Sequence, residues 1–258
     1  MNIIYRVYRK AARTLSRGDK LPRVFFLHVP KCGGVSVKQA LRQKYVSRGQ
    51  MAVRLDPQAS SQAADLCGEE MLEFRRRLLL YELHKNANRL VTGHYPYPLP
   101  PGEIPGEAWS FVTVLRDPVA RWYSHYFYGL GIKNRDHFPI DVSLREFIDS
   151  DWRAKAHGAL MVKMLVPDTK CVDTAIERLN HFAVVGILED LARFTADCRN
   201  QLGLSLRIPH VNASPTPIHE RHKEITPEIH QQVVELCEPD RRVYQAALKR
   251  LENKERLP

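Results

Sequence analysis

The sequence predicts an α/β fold: one three-layer domain with a mostly parallel central sheet flanked by helices. Three observations carry that expectation. The runs "RVFFLHV" (23–29), "AWSFVTVL" (108–115) and "FAVVGIL" (182–188) are near-continuous apolar segments of the kind a strand shows when both its faces are covered. Segments of helical period separate them, the alternation that builds parallel sheets. At 258 residues, 44% hydrophobic, the chain is long enough to bury a full core without disulfides or a structural metal.

The elements follow in order. Residues 1–22, "MNIIYRVYRKAARTLSRGDKLP", are a basic leader in which Ile3, Val7, Ala11 and Leu15 recur at i, i+4. A helix there carries one thin apolar stripe, which fits a helix docked on the domain, a loose leader, or a basic amphipathic helix on an anionic membrane surface. The domain proper is expected over 23–258. Its first strand, 23–29, leads into the helical "VSVKQALRQKY" (35–45), and "MAVRL" (51–55) reads as a short strand. "EEMLEFRRRLLLYELHK" (69–85) is helical by period, and "RLVTGH" (89–94) is a core strand ending in a Gly-His turn. After the strand 108–115 comes "RDP" and the helix "VARWYSHYFYG", with Pro118 in the first turn, where its missing N–H costs nothing. Residues 144–149, 153–164 and 171–180 read as helices, 182–188 as a strand, and "EDLARFTADCRNQLG" as the helix after it. The polar, proline-rich tract 209–227 is expected to be a long functional loop, and the remaining residues one or two closing helices.

Composition narrows the function. There are 39 Lys+Arg against 29 Asp+Glu, a formal charge of +10, which favours an anionic ligand. A nucleic acid is not the expected one: aromatic and basic residues do not interleave along a strand, and no zinc-finger or RRM signature is present. The five cysteines are scattered and form no C-x-x-C pair, which argues against a disulfide framework or zinc site and for a reducing, cytoplasmic setting. No run of about 18 apolar residues exists to span a bilayer, and the N-terminus lacks the apolar core of a signal peptide.

Parallel α/β sheets bind ligands beyond the carboxyl ends of their strands, and "HVPKCGGVS" occupies that position. Gly33 and Gly34 let backbone N–H groups approach an anion at a helix start; Lys31 adds a mobile charge and Ser36 a hydroxyl donor. Glycines at such a turn also serve as plain structural punctuation. A Walker A loop, G-x-x-x-x-G-K-[ST], places its lysine after the glycines; here no glycine precedes Lys31, so the expectation of a kinase using ATP and magnesium loses its support. Further on, Arg116 ends a strand and Ser124 lies eight residues later in the next helix, a spacing at which a guanidinium fork and a hydroxyl can converge on one phosphate. The alternative makes Arg116 an ion-pair partner of Asp117 and Ser124 a surface hydroxyl.

"FFLHVPKCGGVS" resembles the 5′-phosphosulfate-binding loop of the sulfotransferases, P-K-[TS]-G-[GT]-T-S, and "RDPVARWYSHY" is similar to the arginine–serine motif with which they hold the donor's 3′-phosphate. These enzymes use 3′-phosphoadenosine 5′-phosphosulfate (PAPS). The resemblance runs in order over about residues 23–250, most strongly in these two motifs. It implies a sulfotransferase fold and a donor site made by Lys31, Cys32, Gly33, Gly34, Val35, Ser36, Arg116 and Ser124, with no metal. Cys32 and Val35 depart from the family's hydroxyl residues. "PHVNAS" is similar to a late donor-binding loop, which adds Asn212 and Ser214. A general base is still required, and His94 stands out among eleven histidines: it ends a strand at the donor-loop edge, and neutral imidazole titrates near working pH. In the polysaccharide-sulfating branch a strand-ending Gly-His of this kind is the base, with Lys31 aimed at the charge developing on the leaving oxygen. The resemblance thus implies transfer of a sulfuryl group to a hydroxyl of a carbohydrate, glycolipid or nascent polysaccharide. The basic leader is consistent with peripheral contact at the inner membrane face. A non-catalytic anion- or membrane-binding module on the same fold is the remaining alternative.

Overall fold

A computed structural model describes residues 20–98, 109–130, 139–150, 152–209 and 224–255. Most of the basic leader, and Asn212 and Ser214 with the greater part of the proline-rich tract, lie outside the described residues. Five parallel strands form one sheet: β1 (Val24–Leu27), β2 (Met51–Arg54), β3 (Asn88–Gly93), β4 (Ser110–Leu115) and β5 (Phe182–Ile187), in the order β2-β3-β1-β4-β5. The helices are α1 (Gly34–Val46), α2 (Pro57–Cys67), α3 (Met71–His84), α4 (Pro118–Leu130), α5 (Leu144–Ser150), α6 (Trp152–Gly158), α7 (Leu160–Leu165), α8 (Val172–Arg178), α9 (Leu191–Leu202), α10 (Pro227–Leu236) and α11 (Glu238–Glu255).

The three layers follow from the period of two in the strands. Phe25 and Leu27 of β1 face a core shared with α3, α7, α8 and α11, through Leu79, Met161, Ala175 and Val243. Val24 and Phe26 face the opposite core, with Val37 and Leu41 of α1 and Phe194 and Cys198 of α9. Both faces are covered, which is why these strands read as unbroken apolar runs. A third cluster joins α4 to α5, α6 and α10 through Trp122, Phe147, Ala154 and Val233.

Two differences from the sequence expectation have local causes. Helix α2 was not foreseen, although its signals are conventional: Asp56 caps Gln58 and Ala59 N–H at 3.0 Å each, Pro57 opens the helix, and Gly68 closes it in the left-handed region. The single helix expected over 153–164 is instead α6 and α7. Gly158 lies so close to α10 that a Cβ there would stand 2.1 Å from the Leu236 carbonyl oxygen, and the chain turns at that contact.

A buried ion pair fastens this turn. The Arg121 and Asp240 side chains are both 0% exposed, with Nη2 and Oδ2 3.7 Å apart. Asp240 also accepts the Met161 and Val162 N–H groups at 2.9 and 3.0 Å, capping α7, while Arg121 donates to the His157 carbonyl. Removing one partner strands a charge in the interior. Asp240→Ala is therefore expected to cost about 3–5 kcal/mol, read as a fall in the urea midpoint; a change within error would show that the pair contributes little.

Candidate functional site

The order β2-β3-β1-β4-β5 fixes where a ligand can lie. The chain leaves β1 toward β2 on one side and leaves β4 toward β5 on the other, so the connections diverge between neighbouring strands and open a crevice at the carboxyl edge. The two sequence motifs are the two walls of that crevice. Arg116 follows β4 and donates from Nη1 to the Lys31 carbonyl oxygen at 3.2 Å. The ion pair with Asp117 that the alternative reading required is not what holds it: Asp117 caps α4 by accepting Ala120 N–H at 2.8 Å.

The loop after β1 is shaped by its backbone. Lys31 has φ 66°, a left-handed conformation that costs a non-glycine residue about 1–2 kcal/mol. Gly33 follows at φ 69°, and α1 begins directly after it. Successive turns of this kind point N–H groups into one concavity, the arrangement that holds anions. No side chain caps the start of α1 and no acidic residue occupies its first turn, so its dipole faces outward unopposed. Gly34 is required for a different reason: a Cβ would meet the His28 ring at 1.9 Å. Ser36 is buried in the first turn of α1, Val35 is exposed beside it, and Cys32 turns into the core. Burial pushes the Cys32 thiol up to about 12, so it stays protonated packing.

Helix α4 forms the wall opposite the loop. Arg121, Ser124, His125 and Tyr128 recur at helical spacing on it. The Lys31 ammonium sits 3.5 Å from the centre of the Tyr128 ring, a cation–π contact. Ser124 is half-buried one turn earlier. His125 packs on His157 with ring centres 3.5 Å apart and the rings tilted by 34°. Burial first, then the neighbouring Arg121 and Lys31 charges, lower His125 to about 3, and burial with His125 lowers His157 to about 2. Sequence reasoning missed Tyr128, Arg121 and His157; the i, i+3, i+7 pattern from Arg121 was the only available signal for the first two.

His94 stands on the other flank of β1, at the end of β3. Its Nδ1 lies 2.8 Å from the His28 carbonyl oxygen, and its ring is 4.3 Å from that of His28. A carbonyl can only accept, so Nδ1 carries the proton and the lone pair of neutral His94 is on Nε2. Burial lowers His94 to about 4, opposed by that hydrogen bond and reinforced by Arg75, Lys38 and Arg54. His28 is lowered well below its ordinary value, first by burial, then by His94 and Lys38. Lys31 and His94 thus flank the exit of β1, the first against β4 and α4, the second beside β2 and α1.

Among the described residues no group of three or more His, Cys, Asp and Glu side chains gathers as a metal site, and no helix is long and apolar enough to cross a membrane. No model of a known protein family matches the sequence, and comparison with curated proteins finds no match.

The depressed histidines predict a pH dependence of stability. An unfolded histidine titrates near about 6.5, so as pH falls the unfolded chain takes up protons before His28, His94, His125 and His157 do. Their contribution to stability is fully present above that value and is lost as pH drops from about 6.5 through about 4 for His94, about 3 for His125 and about 2 for His157. Urea midpoints across this window should decline, and His94→Gln should decline less steeply; a flat wild-type profile would contradict the burial argument.

Proposed function

We propose that the protein is a PAPS-dependent O-sulfotransferase acting on a carbohydrate or glycoconjugate hydroxyl. One observation carries the reading: the lysine-glycine loop and the strand-ending arginine, 85 positions apart in the chain, meet at the Arg116–Lys31 hydrogen bond of 3.2 Å in the sheet's switch-point crevice. An adenosine 3′,5′-bisphosphate moiety spans such a crevice with its 5′ end on the uncapped start of α1 and its 3′-phosphate toward Arg116 and Ser124. Asn212 and Ser214 complete the proposed donor contacts. The loop fits an anion because two left-handed residues and an open helix start aim donors outward with no carboxylate against them.

In this reading the acceptor oxygen attacks sulfur as the bond from sulfur to the bridging phosphate oxygen breaks. Nε2 of His94 takes the acceptor proton, since the hydrogen bond to the His28 carbonyl fixes the tautomer that leaves this nitrogen unprotonated. Lys31 leaves Tyr128 and supplies positive charge to the departing oxygen. Arg116 and Ser124 hold the nucleotide and take no part in proton transfer. We place the enzyme in the cytoplasm, with a carbohydrate, glycolipid or nascent polysaccharide as acceptor and the basic leader at the inner membrane face.

Thermal unfolding tests the donor half. Adenosine 3′,5′-bisphosphate at about 100 times its Kd should stabilise the protein by about 2.7 kcal/mol; ATP with magnesium should not, and Arg116→Ala should lose the effect. Stabilisation by ATP with magnesium alone would overturn the reading in favour of a kinase. Transfer of radiolabelled sulfate from PAPS into a glycan panel tests the chemistry. His94→Ala should lower turnover roughly 10²- to 10⁴-fold while keeping the nucleotide-induced shift. Because His94 is lowered to about 4, the acid limb of the rate profile should fall near that pH and not near 6.5; an unchanged His94→Ala rate removes His94 from the mechanism.

A further inference from the structure

Lys31 is fixed at its backbone and held at its tip by different partners. Its carbonyl accepts from Arg116 Nη1 at 3.2 Å, and its φ of 66° is followed by 69° at Gly33. With the main chain tied in this way, the charge is redirected by the torsions of a flexible four-carbon stem. That stem ends 3.5 Å from the centre of the Tyr128 ring on α4, where the ring's quadrupole attracts it. Tyr128 does not fill a core. Its helix neighbours Trp122, Tyr126 and Phe127 are buried in the third cluster, whereas Tyr128 is 44% exposed. Core packing therefore does not account for this ring; the cation on its face does.

Two partners then draw on one cation. The start of α1 has no side-chain cap and no acidic residue in its first turn, so it favours an anion close to Lys31. Tyr128 belongs to the opposite wall, one turn beyond Ser124. An ammonium that turns to a phosphate on the loop gives up the ring, and one that returns to the ring gives up the phosphate. A phosphate that takes the charge must displace it from the ring. The ring thereby lowers the apparent affinity by the strength of its own hold.

We propose that Tyr128 is a positioning residue for Lys31: a second seat for the ammonium that competes with the bound nucleotide and hastens release of the adenosine 3′,5′-bisphosphate product. This rests on the sulfotransferase reading for the identity of the nucleotide, while the competition for the cation holds for any phosphate in the loop. The attraction comes from the ring and not from the hydroxyl, so phenylalanine serves in place of tyrosine. An aliphatic side chain does not. Deleting the ring should therefore improve binding.

The test measures adenosine 3′,5′-bisphosphate and inorganic pyrophosphate on the full chain, with Kd from calorimetry and release rate from displacement of a fluorescent nucleotide analogue. Tyr128→Leu should tighten Kd by about 2- to 30-fold, the strength of one cation–π contact, and slow release in proportion. Tyr128→Phe should stay within about twofold of the wild type in both. In a Lys31→Gln background, Tyr128→Leu should change neither quantity, because the cation it competes for is gone. Weaker or unchanged binding by Tyr128→Leu overturns the proposal, as does the same change with and without Lys31, which would mean that the ring touches the nucleotide itself. If Tyr128→Leu loses its cooperative urea transition, Tyr128→Gln, equally ringless, decides the matter by the same criteria. A wild type that binds pyrophosphate and not the nucleotide sinks the sulfotransferase reading and leaves the pyrophosphate series to judge Tyr128; binding of neither overturns both.

Discussion

The hydrogen bond from Arg116 to the Lys31 carbonyl is the constraint on which the site depends. It joins the exits of β1 and β4, the two neighbouring strands whose connections run in opposite directions. Diverging connections leave the crevice open, and the bond keeps its walls from separating. The guanidinium does this with one of its five N–H donors. Lys31 is held by its backbone on one wall and by Tyr128 through its side chain on the other.

The two flanks of β1 differ in electrostatic character. The Lys31 ammonium lies on the Tyr128 ring and near His125, whose imidazole burial keeps neutral. Around His94 the neighbours are cations, and the imidazole is again neutral. One flank therefore offers Lys31 and Arg116 beside uncharged rings. The other offers several charges near solvent. In the proposed reading, that asymmetry separates donor and acceptor on the two sides of a single strand.

Much of this was legible in the sequence, for reasons that particular residues make plain. The strands could be read because Phe25 and Phe26 both face cores, so no polar residue interrupts the run. Lys31, Arg116 and His94 could be picked out because each ends a strand, and strand ends in a parallel sheet share an edge. What escaped depends on contacts distant in the chain. The break at Gly158 is imposed by Leu236, and the burial of Arg121 by Asp240. Helix α2 escaped for a lesser reason, since its apolar stripe is thin and only its caps mark it.

The packing of Gly34 against His28 carries a consequence for how the chain can change over generations. The residue whose imidazole occupies the missing Cβ space also accepts the His94 Nδ1–H through its backbone carbonyl and packs its ring 4.3 Å from that of His94, so the close contact at Gly34 and the setting of His94 both involve position 28. A change of side chain at position 28 therefore disturbs the contact at Gly34 and the ring beside His94 together. Diversification of such a scaffold is left to residues outside that shared contact.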